Sequence, residues 1–409
     1  MQPRDIVSAD FCMKSVDAAI ASLALPALAT LAADPLASLI DIAYLGHLGS
    51  LQLASVGVAL SIFGTVTKLL NIPLLSVTTN VVATAVGSDA DDKDAQIGLA
   101  ASTSLLIAVL VSLAEGAALV VLGGNGLSLW GVSPGSPLRY DALDFLQIKA
   151  LGAPATLLLM VAQGAAALWL IASLSRKYSL SLAGRSAMAS LSSFLGPTGL
   201  LALRTVAISG TFALATSLAA RSDLAHAAAH QICLQLWLAS SLLADSLAVA
   251  AQTLLAQGLA ANELEKIAER TLQLGVALGV SLATVLALTS GALPQLFTRD
   301  PAVIAAIGNI FPWVILSQPI NALAFVWDGV LYGAGGFEYA AKAMAVCATP
   351  AVGCMLLALL APGAPDLELG AVWLGLIVLM SMRSITIYIP WKLQRSPFDR
   401  FFGKAVRNL

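Results

Sequence analysis

Apolar runs long enough to cross about 30 Å of hydrocarbon recur along this chain from one end to the other. Separated by Gly, Pro and charged punctuation, they read as ten membrane spans: 16–45, 53–86, 96–122, 142–175, 187–220, 224–257, 271–292, 302–333, 341–361 and 370–391. Only 11% of the 409 residues are Asp, Glu, Lys or Arg, against about 25% in a soluble domain. No stretch offers the charged outer face that one large soluble core would need. The chain therefore reads as an all-α polytopic membrane protein. Several runs exceed the minimum length, which predicts tilted or kinked helices.

Loop charge gives the orientation. With the N-terminus in the cytoplasm, ten spans put about fourteen Lys and Arg on the cytoplasmic side and only Arg139, Arg221 and Arg299 on the other, the bias that the positive-inside rule predicts. Both termini are then cytoplasmic, although the rule fixes parity and not span number. A formal net charge of -2 leaves no nucleic-acid footprint. The segment before Lys14 carries Asp5 and Asp10 and does not read as a transit or signal peptide. Cys12, Cys233, Cys347 and Cys354 show no metal-ligand spacing, so they are expected as packing residues.

Five acids lie inside the apolar stretches: Asp34, Asp41, Glu115, Asp245 and Asp328. Each costs about 2.5–3.5 kcal/mol at mid-membrane, and such residues commonly face a bundle interior or a wet cavity, where they serve ions, protons or substrates. This pattern points to a carrier. Asp34 and Asp41 are seven residues apart, about 10 Å along one helix face, and Asp34 precedes Pro35, a helix breaker whose freed carbonyls can coordinate cations. Gln318, Pro319 and Asn321 accompany Asp328 and predict a polar, kinked region. Lys68 and Arg204 are intramembrane cations, fit to neutralise a carboxylate or to bind an anionic solute. Glu115 has no motif around it and reads as a pairing or interfacial residue. His226 and His230 share a helix face at metal-ligand spacing, but no third ligand lies within reach in sequence, so a helix-start pair is the simpler reading. Gly275 and Gly279 form a small-xxx-small pair that predicts close helix packing. No phosphate loop, zinc pattern or nucleophile elbow appears, which leaves no basis for an enzyme, a metal or a cofactor.

The two halves echo each other. LASVGVALSIF (53–63) resembles AHAAAHQICLQL (225–236), and GAPATLLLMVAQG from Gly152 resembles SQPINALAFVWDG from Ser317. This supports a duplicated carrier of two lobes. The expected layout is a cytoplasmic segment 1–15, a first lobe 16–180, a second lobe 181–391 and a basic cytoplasmic tail 392–409. The tails of the halves do not match: from Ser317 to Trp391 the chain runs about 75 residues, but from Gly152 to Arg185 only about 34. About one helical hairpin is missing after Gln163–Gly164, and 142–175 reads as the start of one ancestral span fused to the end of another.

The blocks LPALATLAADPLASLIDIAYLGHLGSLQLASVGVALSIF, KLLNIPLLSVTTNVVA, LRTVAISGTFALATSLAAR, AAHQICLQLWLASSLLADSLAVAAQTLLA and QPINALAFVWDGVLYGAG resemble MATE (multidrug and toxic compound extrusion) transporters, specifically the DinF-like branch of photosynthetic organisms. The resemblance implies twelve spans in two six-helix lobes and cation-coupled antiport by rocker-switch motion. It implies that Asp41 matches the first-span acid that relatives use for protons or cations, with H⁺ or Na⁺ as coupling ion and a small organic solute as cargo. Organic anions such as citrate or phenolic acids are carried within this branch, and Lys68 and Arg204 tilt the reading toward them. The expected partners are membrane lipid and that solute, with the chain acting as a monomer. Plasma membrane and plastid envelope are not distinguished. The missing hairpin keeps two other readings open, a shortened carrier without transport and a flippase of related architecture.

Overall fold

The computed structural model describes residues 13–32, 36, 39–44, 55–66, 77, 99, 103, 106, 110, 116–128, 132, 134–136, 138–151, 191–219, 224–257, 260–360 and 364–402. Among them the regular elements are helices: α1 (Met13–Leu31), α2 (Leu138–Leu151), α3 (Leu191–Ala219), α4 (Leu224–Leu255), α5 (Ala261–Thr289), α6 (Pro301–Gly333), α7 (Phe337–Leu356) and α8 (Pro365–Lys392), with short 3-10 turns between or after them. Helix is the form expected in hydrocarbon, because it satisfies every backbone donor and acceptor within its own segment. Six helices among the described residues are long and apolar enough to cross a membrane. The chain is an integral, multi-pass membrane protein.

By contact the chain divides into two compact units, Met1–Leu48 with Gly210–Leu409, and Gly49–Ser209. The first helix thus groups by contact with residues of the second half. One tie is a two-pronged ion pair in which Arg270 Nε and Nη2 of α5 meet Asp17 Oδ1 and Oδ2 of α1 at 2.7 and 2.8 Å. α3 runs through the division.

In the larger unit the contacts fix helix direction. Trp237 meets Ser317, Ser241 meets Asn321, and Gly329 lies against Ala248, so α4 and α6 run parallel. Asn309 meets Asp366 and Asp328 meets Arg383, so α6 and α8 run parallel as well. α5 is antiparallel to α6, with Gly275 against Val326 and Gly279 against Pro319. α7 is antiparallel to α8, with Tyr339 bonded to the Thr386 carbonyl and Ala351 and Met355 against Gly375. This is the alternation that a chain threading back and forth across a bilayer requires.

Close approach depends on glycine. A Cβ at Gly279 would stand 2.6 Å from Pro319 Cα, and one at Gly275 2.9 Å from Val326 Cγ2, so the predicted small-xxx-small pair is where α5 meets α6. α6 ends in a Schellman motif: Gly335 has φ +77°, its N–H reaches Tyr332 O at 2.8 Å, and Gly336 N–H reaches Leu331 O at 3.0 Å.

α5 begins ten residues before the expected span start at 271. Residues 261–270, which lie between the expected spans 224–257 and 271–292, are its first turns, with Glu263 near the positive end of the helix dipole. Past α8 the chain turns back so that Phe398, Phe401 and Phe402 stand around Trp391 with ring centroids 5.4, 5.7 and 5.0 Å away. Phe398 and Phe401 are fully buried.

In the Gly49–Ser209 unit, Ala59, Ile62, Leu119, Leu127, Ala142 and Leu146 share one apolar cluster. The connection between the expected spans 96–122 and 142–175 begins later than 123, because helix continues through Gly123 and Gly126 to Ser128. A Cβ at Gly123 would lie 3.0 Å from Leu146 Cδ2, so glycine here serves close contact and not a break. Arg139 of α2 then caps that helix, donating from Nη2 to Gly124 O at 2.9 Å and from Nη1 to Ser128 Oγ and Val132 O at 3.0 Å.

Candidate transport site

The polar residues of the larger unit gather on the seam between α4 and α6. α6 carries Pro312 and Pro319 within its length. Each proline withholds a backbone donor, and side chains beside Pro319 supply the local polar contacts. Ser317 Oγ donates to Val314 O at 2.8 Å and accepts from Trp237 Nε1 at 2.9 Å. Gln318 Nε2 donates to Val314 O at 3.2 Å, while Gln318 Oε1 accepts from Ser240 Oγ at 3.0 Å. Asn321 Nδ2 donates to Ser241 Oγ at 2.7 Å. Ser317, Gln318 and Asn321 are each 1% exposed, and Asn321 Oδ1 takes no hydrogen bond from any described residue. The predicted pair Gln318 and Asn321 thus belongs to one buried network, whose α4 half gives no signal in the sequence. Replacing Ser317 by Ala strands the Trp237 N–H. We expect this to cost about 1–3 kcal/mol, read as a lowered melting temperature in detergent.

Two turns further along α6, Asp328 forms a buried ion pair with Arg383 Nη2 of α8. Arg383 is 4% exposed. Its Nη1 contacts Met380 Sδ at 2.9 Å, and its guanidinium carbon lies 5.0 Å from the Phe325 ring centroid. Sequence reasoning missed Arg383, although the rule that singled out Lys68 and Arg204 applies equally to SMRSITIY.

Asp245 is half-buried on α4, one turn beyond Ser241. Asp41 is half-buried in the helical stretch 39–44, beside fully buried Ile42 and exposed Ile40. Arg204 is 5% exposed on α3, in the Gly49–Ser209 unit. Asp34, Lys68 and Glu115 lie outside the described residues. His226 and His230 face different partners: His226 Nε2 lies 3.0 Å from Asp366 Oδ1, which Asn309 Nδ2 also meets at 2.8 Å, while His230 is buried edge-on to Trp373. Cys233 and Cys347 are buried thiols, the latter 3.5 Å from Thr386 Oγ1.

The MatE family model matches this chain over residues 26–167 and 201–356, two stretches that follow its two halves. Protein DETOXIFICATION 44, chloroplastic, of Arabidopsis thaliana is 37% identical over 440 aligned residues, covering 91% of this chain and 83% of its own length. Protein DETOXIFICATION 45, chloroplastic, of the same plant is 32% identical over 443, covering 92% and 78%. Both alignments are longer than the 409 residues of the chain, so these relatives carry internal residues that it lacks. Among solved structures, the Vibrio cholerae MATE transporter VcmN superposes with a TM-score of 0.75 at 15% identity, over 94% of this chain and 99% of its own. The eukaryotic MATE transporter AtDTX14 gives 0.71 at 16% identity, over 95% and 98%. Identities this low speak for the fold alone, but the family model and the plant relatives speak for descent. This chain belongs to the MATE family of membrane transporters.

Proposed function

We propose that this protein is a secondary-active efflux carrier that exchanges H⁺ or Na⁺ for a small organic anion, of the size and charge of citrate or a phenolic acid. The observation that carries the reading is Arg383, a guanidinium only 4% exposed within a membrane-spanning helix, whose buried Nε–H meets no acceptor among the described residues. A buried positive charge is expensive and suits a solute that brings a negative one. Asp41 serves the coupling ion in this reading, with Asp34 behind it. Lys68, Asp245, Gln318, Asn321 and Asp328 serve the pathway. The relatives described as chloroplastic favour a plastid membrane. The test is flux from proteoliposomes loaded with citrate, a phenolic acid or an organic cation, under an imposed pH or Na⁺ gradient. Gradient-driven movement of an anion is expected, and movement of the cation alone would overturn the reading.

A second reading is a shortened carrier without transport. It is favoured by alignments that outrun the chain's own length. The expected junction after Gln163–Gly164 lies outside the described residues. Restoring a hairpin of about 40 residues from a relative is expected to raise both melting temperature and flux, since each polar group stranded by its loss costs about 1–3 kcal/mol. Equal stability and equal flux in the two forms would show that the short chain is a complete carrier.

A further inference from the structure

We propose that Arg383 is an anion-binding group for which Asp328 is the resting counter-ion, so that an anionic solute and a proton are taken up together at this pair. The inference rests on the organic-anion reading above and adds the site and the sign of its proton linkage. A guanidinium has five N–H donors in a fixed fork, suited to grip a carboxylate with two of them. Here the fork is underused. One arm goes to Asp328, another only to the thioether of Met380, a weak acceptor, and the buried Nε–H meets no acceptor among the described residues. The Phe325 ring beside it adds attraction for the cation without supplying an acceptor. Unspent donors on a side chain 4% exposed are a standing cost, and an arriving carboxylate would remove it.

Two anions cannot both sit on one guanidinium in low dielectric without strong repulsion. As the solute's anionic oxygen takes the fork, the Asp328 carboxylate takes a proton from solution, so the charge at the pair stays constant. The other charged groups on the neighbouring helices are otherwise placed. Glu338 and Lys342 of α7 hold each other on an exposed face, Arg270 of α5 holds Asp17, Asp366 of α8 is at the far end with His226, and Asp245 is half-buried on α4. Arg383 pairs with Asp328. Linkage requires that, if the anion draws in a proton, lower pH tightens the anion. Coupling through Asp41 is a separate event.

The experiment uses the full chain in detergent, weakly buffered near neutral pH with an indicator dye. The probes are a naphthalenesulfonate, whose negative charge is fixed, and tetraphenylphosphonium, whose positive charge is fixed. In the wild type, sulfonate binding is expected to take up about one proton per anion. Asp328→Asn should bind sulfonate without proton uptake, and should gain more thermal stability from it than the wild type does. Arg383→Gln should weaken sulfonate binding by about thirtyfold or more. The wild-type measurement needs no variant to fold. Sulfonate binding without proton uptake overturns the linkage while leaving the anion reading intact. Phosphonium binding in the absence of any sulfonate binding overturns both.

Discussion

Asp41→Asn is expected to abolish pH-driven efflux while leaving the protein inserted and folded. Asparagine keeps the size and polarity of the side chain but cannot take up a proton. A residue that is only half-buried tolerates the exchange more readily than one enclosed on all sides. Inverted vesicles at matched expression, given an acid jump, would show a proton-coupled solute flux in the wild type and none in the variant. Efflux equal to wild type would remove Asp41 as the coupling group and leave Asp34 or Asp245 to carry it. Loss of flux with retained binding of the solute would place the defect in coupling and not in recognition.

Gly329→Val is expected to break the larger unit. A Cβ at this position would press on the backbone of Ala248, 2.6 Å from its Cα and 2.8 Å from its carbonyl carbon. Backbone cannot swing aside as a side chain end can, so α4 and α6 would have to part. Overpacking typically costs about 1–3 kcal/mol and occasionally more. Separation here would also strain the Trp237–Ser317 and Ser241–Asn321 bonds along the same seam. We expect a fall in melting temperature of about 10 °C or loss of the monodisperse species in detergent. Gly308→Ala is the matched control, because nothing lies within 4 Å of a Cβ there. If both variants melt together, the close approach does not hold the two helices.

The spans of the second half were legible because hydrocarbon imposes length and apolarity directly on sequence. The expected spans 187–220, 224–257 and 302–333 differ by only a few residues from α3, α4 and α6. The small-xxx-small pair was legible for a similar reason, since only a residue without a side chain permits such contact. The start of α5 was not, because its first turns are charged and resemble a loop by composition. Arg383 was visible but unread. Its partner Asp328 lies 55 residues away, and no spacing rule links two residues on different helices. The division that places Met1–Leu48 with Gly210–Leu409 depends on tertiary contact, of which the Asp17–Arg270 pair gives no local sign. Gln318 and Asn321 were found through their proline, whereas Ser240, Ser241 and Trp237 look like ordinary residues of an apolar helix until α6 lies beside them.

The aromatic cluster beyond α8 bears on how this protein can be handled. Trp391 packs on Trp327 of α6 and on three rings that follow α8, so this membrane-crossing segment is clasped in part by residues made later than itself. A fluorescent reporter joined at Arg395 would separate the clasp from its tryptophan, whereas one joined after Leu409 would leave it whole. Fluorescence-detected screening of expression could therefore show the same protein as aggregated or as well folded, according to a choice between fusion points only fourteen residues apart.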